Sequence, residues 1–227
     1  MLVAFVRERG ASLGAVVLVL GLIAVLQASV TYSVTYGPLH SMLPTSVRPG
    51  SLAALIQFVL LLVMCALWLR RKKDALMHCI MLSNGLFTLL LLLQTYSLGR
   101  ILTGVSHNTI DDLLLDVALI ASINILIFSI WYWVIDPPGV DDNPHDDQPW
   151  DFLFPQRGSN IPHYQSWIPH YSDYLFLAYT ASFAFSPTDA MPLTKRAKML
   201  MMLQATISIV TLTGLAGSAI NILASSS

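Results

Sequence analysis

The stretch TASFAFSPTDAMPLTKRAK, Thr180 to Lys198, decides how this chain folds. It runs from one apolar helix into another through Ser-Pro-Thr-Asp. Pro187 has no amide hydrogen and its ring pushes Ser186 out of helical geometry, so the first helix ends there. Counted back to Asp173, with Ser172 or Asp173 able to cap its start, that helix spans residues 173–185. At 1.5 Å per residue it is about 20 Å long, too short for a hydrocarbon core of about 30 Å. Non-helical backbone inside a bilayer is tolerated only where it is buried in protein or lines a watery cavity. The stretch therefore reads as a short re-entrant helix, a turn, and a last spanning helix over 195–224.

Outward from this point, four earlier stretches are long and apolar enough to span: Ala11 to Val34, Leu52 to Leu69, Ala75 to Leu98 and Leu113 to Ile135. The expected fold is thus an all-α integral membrane protein of five transmembrane helices plus one short re-entrant helix. Composition agrees, since 55% of the residues are hydrophobic and 11% charged, against about 25% charged in soluble domains. Arg7 and Arg9 precede an apolar block too long for a signal peptide, which favours a first transmembrane helix. A net charge of -1 leaves no basic face for nucleic acid. Cys65 and Cys79 lie in or beside apolar spans without a CxxC spacing, so both are expected in the core and neither suggests a metal. No catalytic triad, metal-ligand set or phosphate loop has a meaningful spacing, so no enzyme activity, cofactor or metal is expected.

Residues 1–110 read as a three-helix membrane region and 111–227 as a second region built around the re-entrant segment. The connections are short, including the charged turn Arg70 to Asp74. The exception is 136–172, a proline-rich polar loop carrying six aspartates with scattered aromatic residues. Trp150, Phe152, Phe154, Tyr164, Trp167 and Tyr171 suggest that part of it packs on the protein or sits at headgroup level. His145, with Asp142, Asp146 and Asp147 around it, reads as a solvated acidic run.

A helix, a loop, a short re-entrant helix, a turn and a final helix resemble the pore domain of potassium channels. Asp189, Pro192, Thr194 and Lys198 fall where that family has the acidic residue after its filter, a proline, a threonine and a basic residue. Thr180 and Ser182 resemble the hydroxyl-bearing pore helix. The resemblance covers roughly the last 120 residues and implies a cation-conducting homo-tetramer, with a monovalent cation as permeant ion. Ser186, Pro187, Thr188 and Asp189 would form the constriction. Ser186, Pro187 and Thr188 stand in place of the family's glycines and tyrosine, which give the filter backbone its conformations; potassium selectivity is therefore not carried over. The chain is also similar to a group of uncharacterised bacterial multi-span membrane proteins, which adds no activity.

On the last helix, Gln204, Ser208, Thr211, Gly214, Ser218 and Asn221 recur at helical spacing and share one face. Such a stripe serves either as a pore wall or as a seam between closely packed helices. Asn84, Gln94 and Asn124 lie deep in the spans and need polar partners, while Asp116 is near enough to a helix end to snorkel. Arg7, Arg9 and Arg70 to Lys73 fall on one side of the membrane, Arg48 and Arg100 on the other. The positive-inside rule then places the N-terminus in the cytoplasm, in a plasma (inner) membrane. Two alternatives to a channel are a non-conducting scaffold or partner-binding subunit that retains the pore fold, and a small-solute transporter.

Overall fold

A computed structural model describes residues 11–36, 51–70, 72–101, 110–136, 150–157, 162, 167–184 and 190–225. The described chain is mostly helical: α1 (Ala11–Tyr36), α2 (Ser51–Leu69), α3 (Lys73–Ile101), α4 (Ile110–Ile135), α5 (Tyr171–Ala184) and α6 (Lys195–Ser225), with strands β1 (Phe152–Leu153) and β2 (Met191–Pro192). Four stretches among the described residues are long and apolar enough to cross a bilayer: Ser12–Ser33, Asp74–Gly99, Leu114–Ile135 and Lys195–Gly214. Leu55–Leu69 of α2 is a shorter apolar stretch. Several apolar helices of this kind mark an all-α membrane protein.

The chain divides into two compact units, one of Met1–Val19 and Ile125–Ala205, the other of Leu20–Asn124 and Thr206–Ser227. The long helices α1, α4 and α6 each contribute to both units.

In the second unit α2 and α3 pack as a hairpin. Its turn is closed by hydrogen bonds from Arg70 N to Ala66 O and from Lys72 N to Leu67 O, at 3.0 and 3.2 Å. Leu20, Ile23, Met64, Ile80, Phe87 and Leu91 are fully buried around it. Asp116 does not snorkel: it is 3% exposed, and its Oδ2 accepts a 2.9 Å hydrogen bond from Ser33. The cysteines also depart from expectation. Cys65 is exposed and Cys79 half-buried, because an apolar helix of a membrane protein can leave such side chains on its outer face at no hydrophobic cost.

The first unit explains how part of the 136–172 loop is held. Asp136 follows the last turn of α4, just before Pro137 and Pro138, which cannot continue a helix. Its carboxylate is buried. Oδ1 accepts from the backbone N–H groups of Asp151 and Phe152 at 2.8 and 3.0 Å, and Oδ2 accepts from the Tyr174 hydroxyl at 2.6 Å. Arg157 closes the cluster, with Nη2 at 2.9 Å from Oδ2 and side chains 4% and 0% exposed. Its Nη1 also donates to Phe152 O at 2.7 Å. The guanidinium lies 5.0 Å from the Trp150 ring centroid and 5.6 Å from that of Phe154, so aromatic faces cover the charge that the carboxylate leaves.

Asp151 makes the second clasp. It accepts from Arg196 Nε at 2.7 Å and from Arg196 Nη2, and from the Thr194 hydroxyl. Thr194 is the N-cap of α6, with its Oγ1 accepting from Ala197 N at 3.3 Å. Arg196 Nη2 also reaches Ile135 O, the end of α4, at 3.1 Å. Between these clasps β1 and β2 pair antiparallel, Phe152 opposite Pro192 and Leu153 opposite Met191. This short ladder is absent from the all-α expectation, because two residues of strand carry no readable periodicity. Phe152 and Phe154 are buried, with Phe152 edge-on to Tyr132 at 5.0 Å and Phe154 edge-on to Tyr174 at 5.5 Å. Packing of the loop's aromatic residues on the protein is thus observed for these two, for Trp167, whose ring lies 5.6 Å from that of Phe154, and for buried Tyr171; residues 141–149, with His145 and its aspartates, lie outside the described residues.

Removing one partner of a buried, hydrogen-bonded ion pair costs about 3–5 kcal/mol, because the other charge is left without compensation. Arg157→Ala is therefore expected to lower stability by about that amount, read as a fall in Tm in detergent. Arg196→Ala, whose side chain is 59% exposed, is expected to cost clearly less.

Candidate functional site

The candidate site is α5 and the side chains that hold it. Pro169 precedes it, and the helix starts where Asp173 Oδ2 accepts from His170 N at 2.7 Å. The cap residue is thus His170, and Asp173 acts from the first turn, where a carboxylate also favours the helix dipole. Its inward face is Tyr171, Tyr174, Leu177, Ala178, Ala181 and Ser182, each with another of the set three or four positions away. Its 14 residues make a helix about 21 Å long; they begin two residues before the expected 173–185 and end at Ala184, with Phe185 outside the described residues.

Gln204 of α6 is the centre of the site. It is fully buried and takes the Tyr132 hydroxyl of α4 on Oε1. Its Nε2 donates to Ala178 O at 2.8 Å and to Ser182 Oγ at 2.7 Å. One amide thereby joins α4, α5 and α6. A second link is the 2.7 Å hydrogen bond between Ser129 of α4 and the Tyr171 hydroxyl. Burial pushes the Tyr171 phenol up to about 12, with the Ser129 bond acting the other way. Tyr174 is held well above its ordinary value, first by burial and then by the charge and hydrogen bond of Asp136. It therefore remains a donor to that carboxylate.

Of the residues expected to form a pore, the structure brings some together and turns them inward. Ser182 is buried on Gln204, while half-buried Thr180 donates to Phe176 O and Leu177 O within its own helix. Ser208 accepts from Asn124 Nδ2 at 2.9 Å, and Thr211 donates to Ile207 O and Ser208 O at 3.0 and 2.9 Å. Gln204, Ser208 and Thr211 are at most 3% exposed, and Gly214 is buried as well. Gln204 and Ser208 thus bond other helices of the same chain, and Thr211 bonds its own. The side chains of Ser218 and Asn221, and the whole of Ser186, Pro187, Thr188 and Asp189, lie outside the described residues. The opposite face of α5 carries Phe176, Tyr179 and Phe183, each about half exposed.

Asp136, Asp151, Arg157, Tyr132, Tyr174 and Arg196 were not singled out by sequence reasoning. One signal was available: Arg157 is the only basic side chain other than histidine between Asp136 and Ser172, and a lone cation amid six aspartates invites the search for a buried partner.

Interhelical hydrogen bonds in membranes average about 0.6 kcal/mol each and reach about 1.7. Gln204→Leu removes three, so a loss of about 1–3 kcal/mol is expected. Thermal unfolding in detergent measures it. A cysteine placed at Ser182 should also become more reactive in that variant, which a uniformly loosened protein would not distinguish from other buried positions.

No family model matches the chain, no curated protein matches it, and no solved structure matches it.

Proposed function

We infer that the chain is a channel-like membrane protein with a pore loop, assembled as a homo-tetramer and conducting cations. Five helices cross the bilayer, α2 being the fifth with its 19 residues, or about 28 Å, and α5 is re-entrant. The observation that carries this reading is the position of Gln204. It lies nine residues into α6, about 14 Å along the axis, and holds the C-terminal half of α5 at that depth. The N-terminal half of α5 lies at the other level, since Tyr174 bonds Asp136 at the end of α4. By Met191 the chain is back beside β1, next to the Asp151 and Arg196 pair at the start of α6. A helix that enters and returns on one side leaves its last carbonyls deep in the bilayer. They have no partner inside the helix and carry the negative end of its dipole. Such an end is stable in hydrocarbon only when covered by protein or facing water, and it favours a cation.

In this reading Ser186, Pro187, Thr188 and Asp189 form the constriction. The cavity wall falls to the α6 face left exposed, beginning with Met199 and Met202, which are 65% and 63% exposed. The inward polar stripe is not that wall. Its burial favours a second reading, a non-conducting scaffold that keeps the pore-loop fold, because the polar groups a lumen needs are bonded inside one chain.

Flux of potassium or thallium into reconstituted vesicles separates the two. The channel reading expects flux in the wild type, reduced several-fold by Asp189→Asn. Absence of flux, both in the wild type and with Ser186 and Thr188 changed to glycine, would leave the scaffold. The charge asymmetry supports a cytoplasmic N-terminus and a cytoplasmic origin for α5. A cysteine at Ser159, with Cys65 and Cys79 replaced, is then expected to react with a membrane-impermeant reagent only after cells are permeabilised; labelling in intact cells would reverse the orientation.

A further inference from the structure

The second unit holds a buried amide cluster in which the chain itself fixes every orientation. Gln27 of α1, Gln57 of α2 and Gln94 of α3 are 1%, 4% and 6% exposed. Gln27 Nε2 donates to Phe87 O of α3 at 2.9 Å. A carbonyl can only accept, so the Gln27 amide cannot be turned over, and its Oε1 faces Gln57, which must present Nε2 at 3.1 Å. The same logic reaches Gln94, whose Nε2 lies 3.4 Å from the backbone carbonyl of Gln27. Its Oε1 must then point away from that carbonyl, and no donor among the described residues meets it.

A second orphan belongs to the next residue of α3. The Thr95 hydroxyl, on a residue 7% exposed, has no partner among the described residues either. Hydroxyls on the same helix ordinarily turn back onto it: Thr88 donates to Asn84 O at 2.7 Å and Ser97 to Leu93 O at 2.8 Å. One turn below Phe87, on the same face of α3, buried Ser83 Oγ is also without a partner. A buried polar atom left without a bond costs about 1–3 kcal/mol, and lipid offers no donor to relieve it. The spacing of Ser83, Phe87 and Gln94 puts all three on the α3 face turned toward α1.

We propose that Gln27, Gln57 and Gln94 form an intramembrane binding site for a small hydrogen-bond donor, received by Gln94 Oε1 and flanked by the Thr95 hydroxyl. Gln27 and Gln57 touch through their amides and Gln94 reaches the Gln27 backbone carbonyl, so the ligand is of the size of water or ammonium. Either supplies the O–H or N–H that the acceptor requires, and a water gains the two or more polar partners that hold it in a protein interior. The site belongs to the second unit and is independent of α5 and of conduction.

The test uses full-length protein labelled with 15N at glutamine side chains, in detergent micelles. A nuclear Overhauser cross-peak between Gln94 side-chain hydrogens and a long-lived water is expected, and identifies water as the ligand. A saturable shift of the Gln94 side-chain resonance with ammonium chloride, absent with sodium chloride, identifies a small N–H donor instead and equally supports the site. Neither signal, with the Gln94 resonance assigned, overturns it. Gln94→Met, similar in length and without an acceptor of comparable strength, gives a second measure. An occupied site loses its ligand and the Tm falls, whereas a Tm that rises would show that the wild-type oxygen was bare.

Discussion

The buried carboxylate of Asp136 is the interaction on which the first unit depends. It terminates α4, receives two backbone N–H groups and a guanidinium from the folded end of the loop, and takes the hydroxyl of α5 through Tyr174. A carboxylate at a helix C-terminus is opposed by the helix dipole. Its position is tolerable because two backbone N–H groups, a phenol and a guanidinium satisfy its oxygens. The second clasp, between Asp151 and Arg196, repeats this logic at the N-terminus of α6, where a basic side chain is equally misplaced for the dipole. The two acid-base pairs thus set the ends of α4 and α6 through the loop between them.

Deeper in the molecule neutral amides take over from charges. Gln204 joins three helices in the first unit, and Gln27 links α1 to α2 and α3 in the second. The change follows from solvation: an ion in hydrocarbon carries a far larger desolvation cost than an amide, whereas an amide that finds its partners is nearly neutral in cost and directional. Leu and Ile supply no such direction between helices, because lipid tails are as apolar as they are. The buried glutamines therefore specify which helices meet and in what register, and the apolar residues fill the space between them.

The polar stripe of α6 illustrates the ambiguity that such residues carry. Small and hydroxylated side chains at helical spacing suit a water-lined wall and a close helix contact equally well. In the structure Gln204, Ser208 and Thr211 are buried against Tyr132, Ala178, Ser182 and Asn124 or against their own helix.

Much of the fold was legible in the amino-acid sequence. Helix positions followed from the length of the apolar runs, and the end of α4 from the prolines after Asp136. These are local properties, set by backbone sterics and by the thickness of hydrocarbon. What the sequence left open was which polar side chain meets which. Arg157 pairs with a residue 21 positions away, Gln204 with one 72 positions away, and Gln27 with one 60 positions away. No periodicity encodes such pairs. They arise only when helices pack and each buried donor must find an acceptor, so these partnerships and the burial of Gln204, Ser208 and Thr211 were decided by tertiary structure.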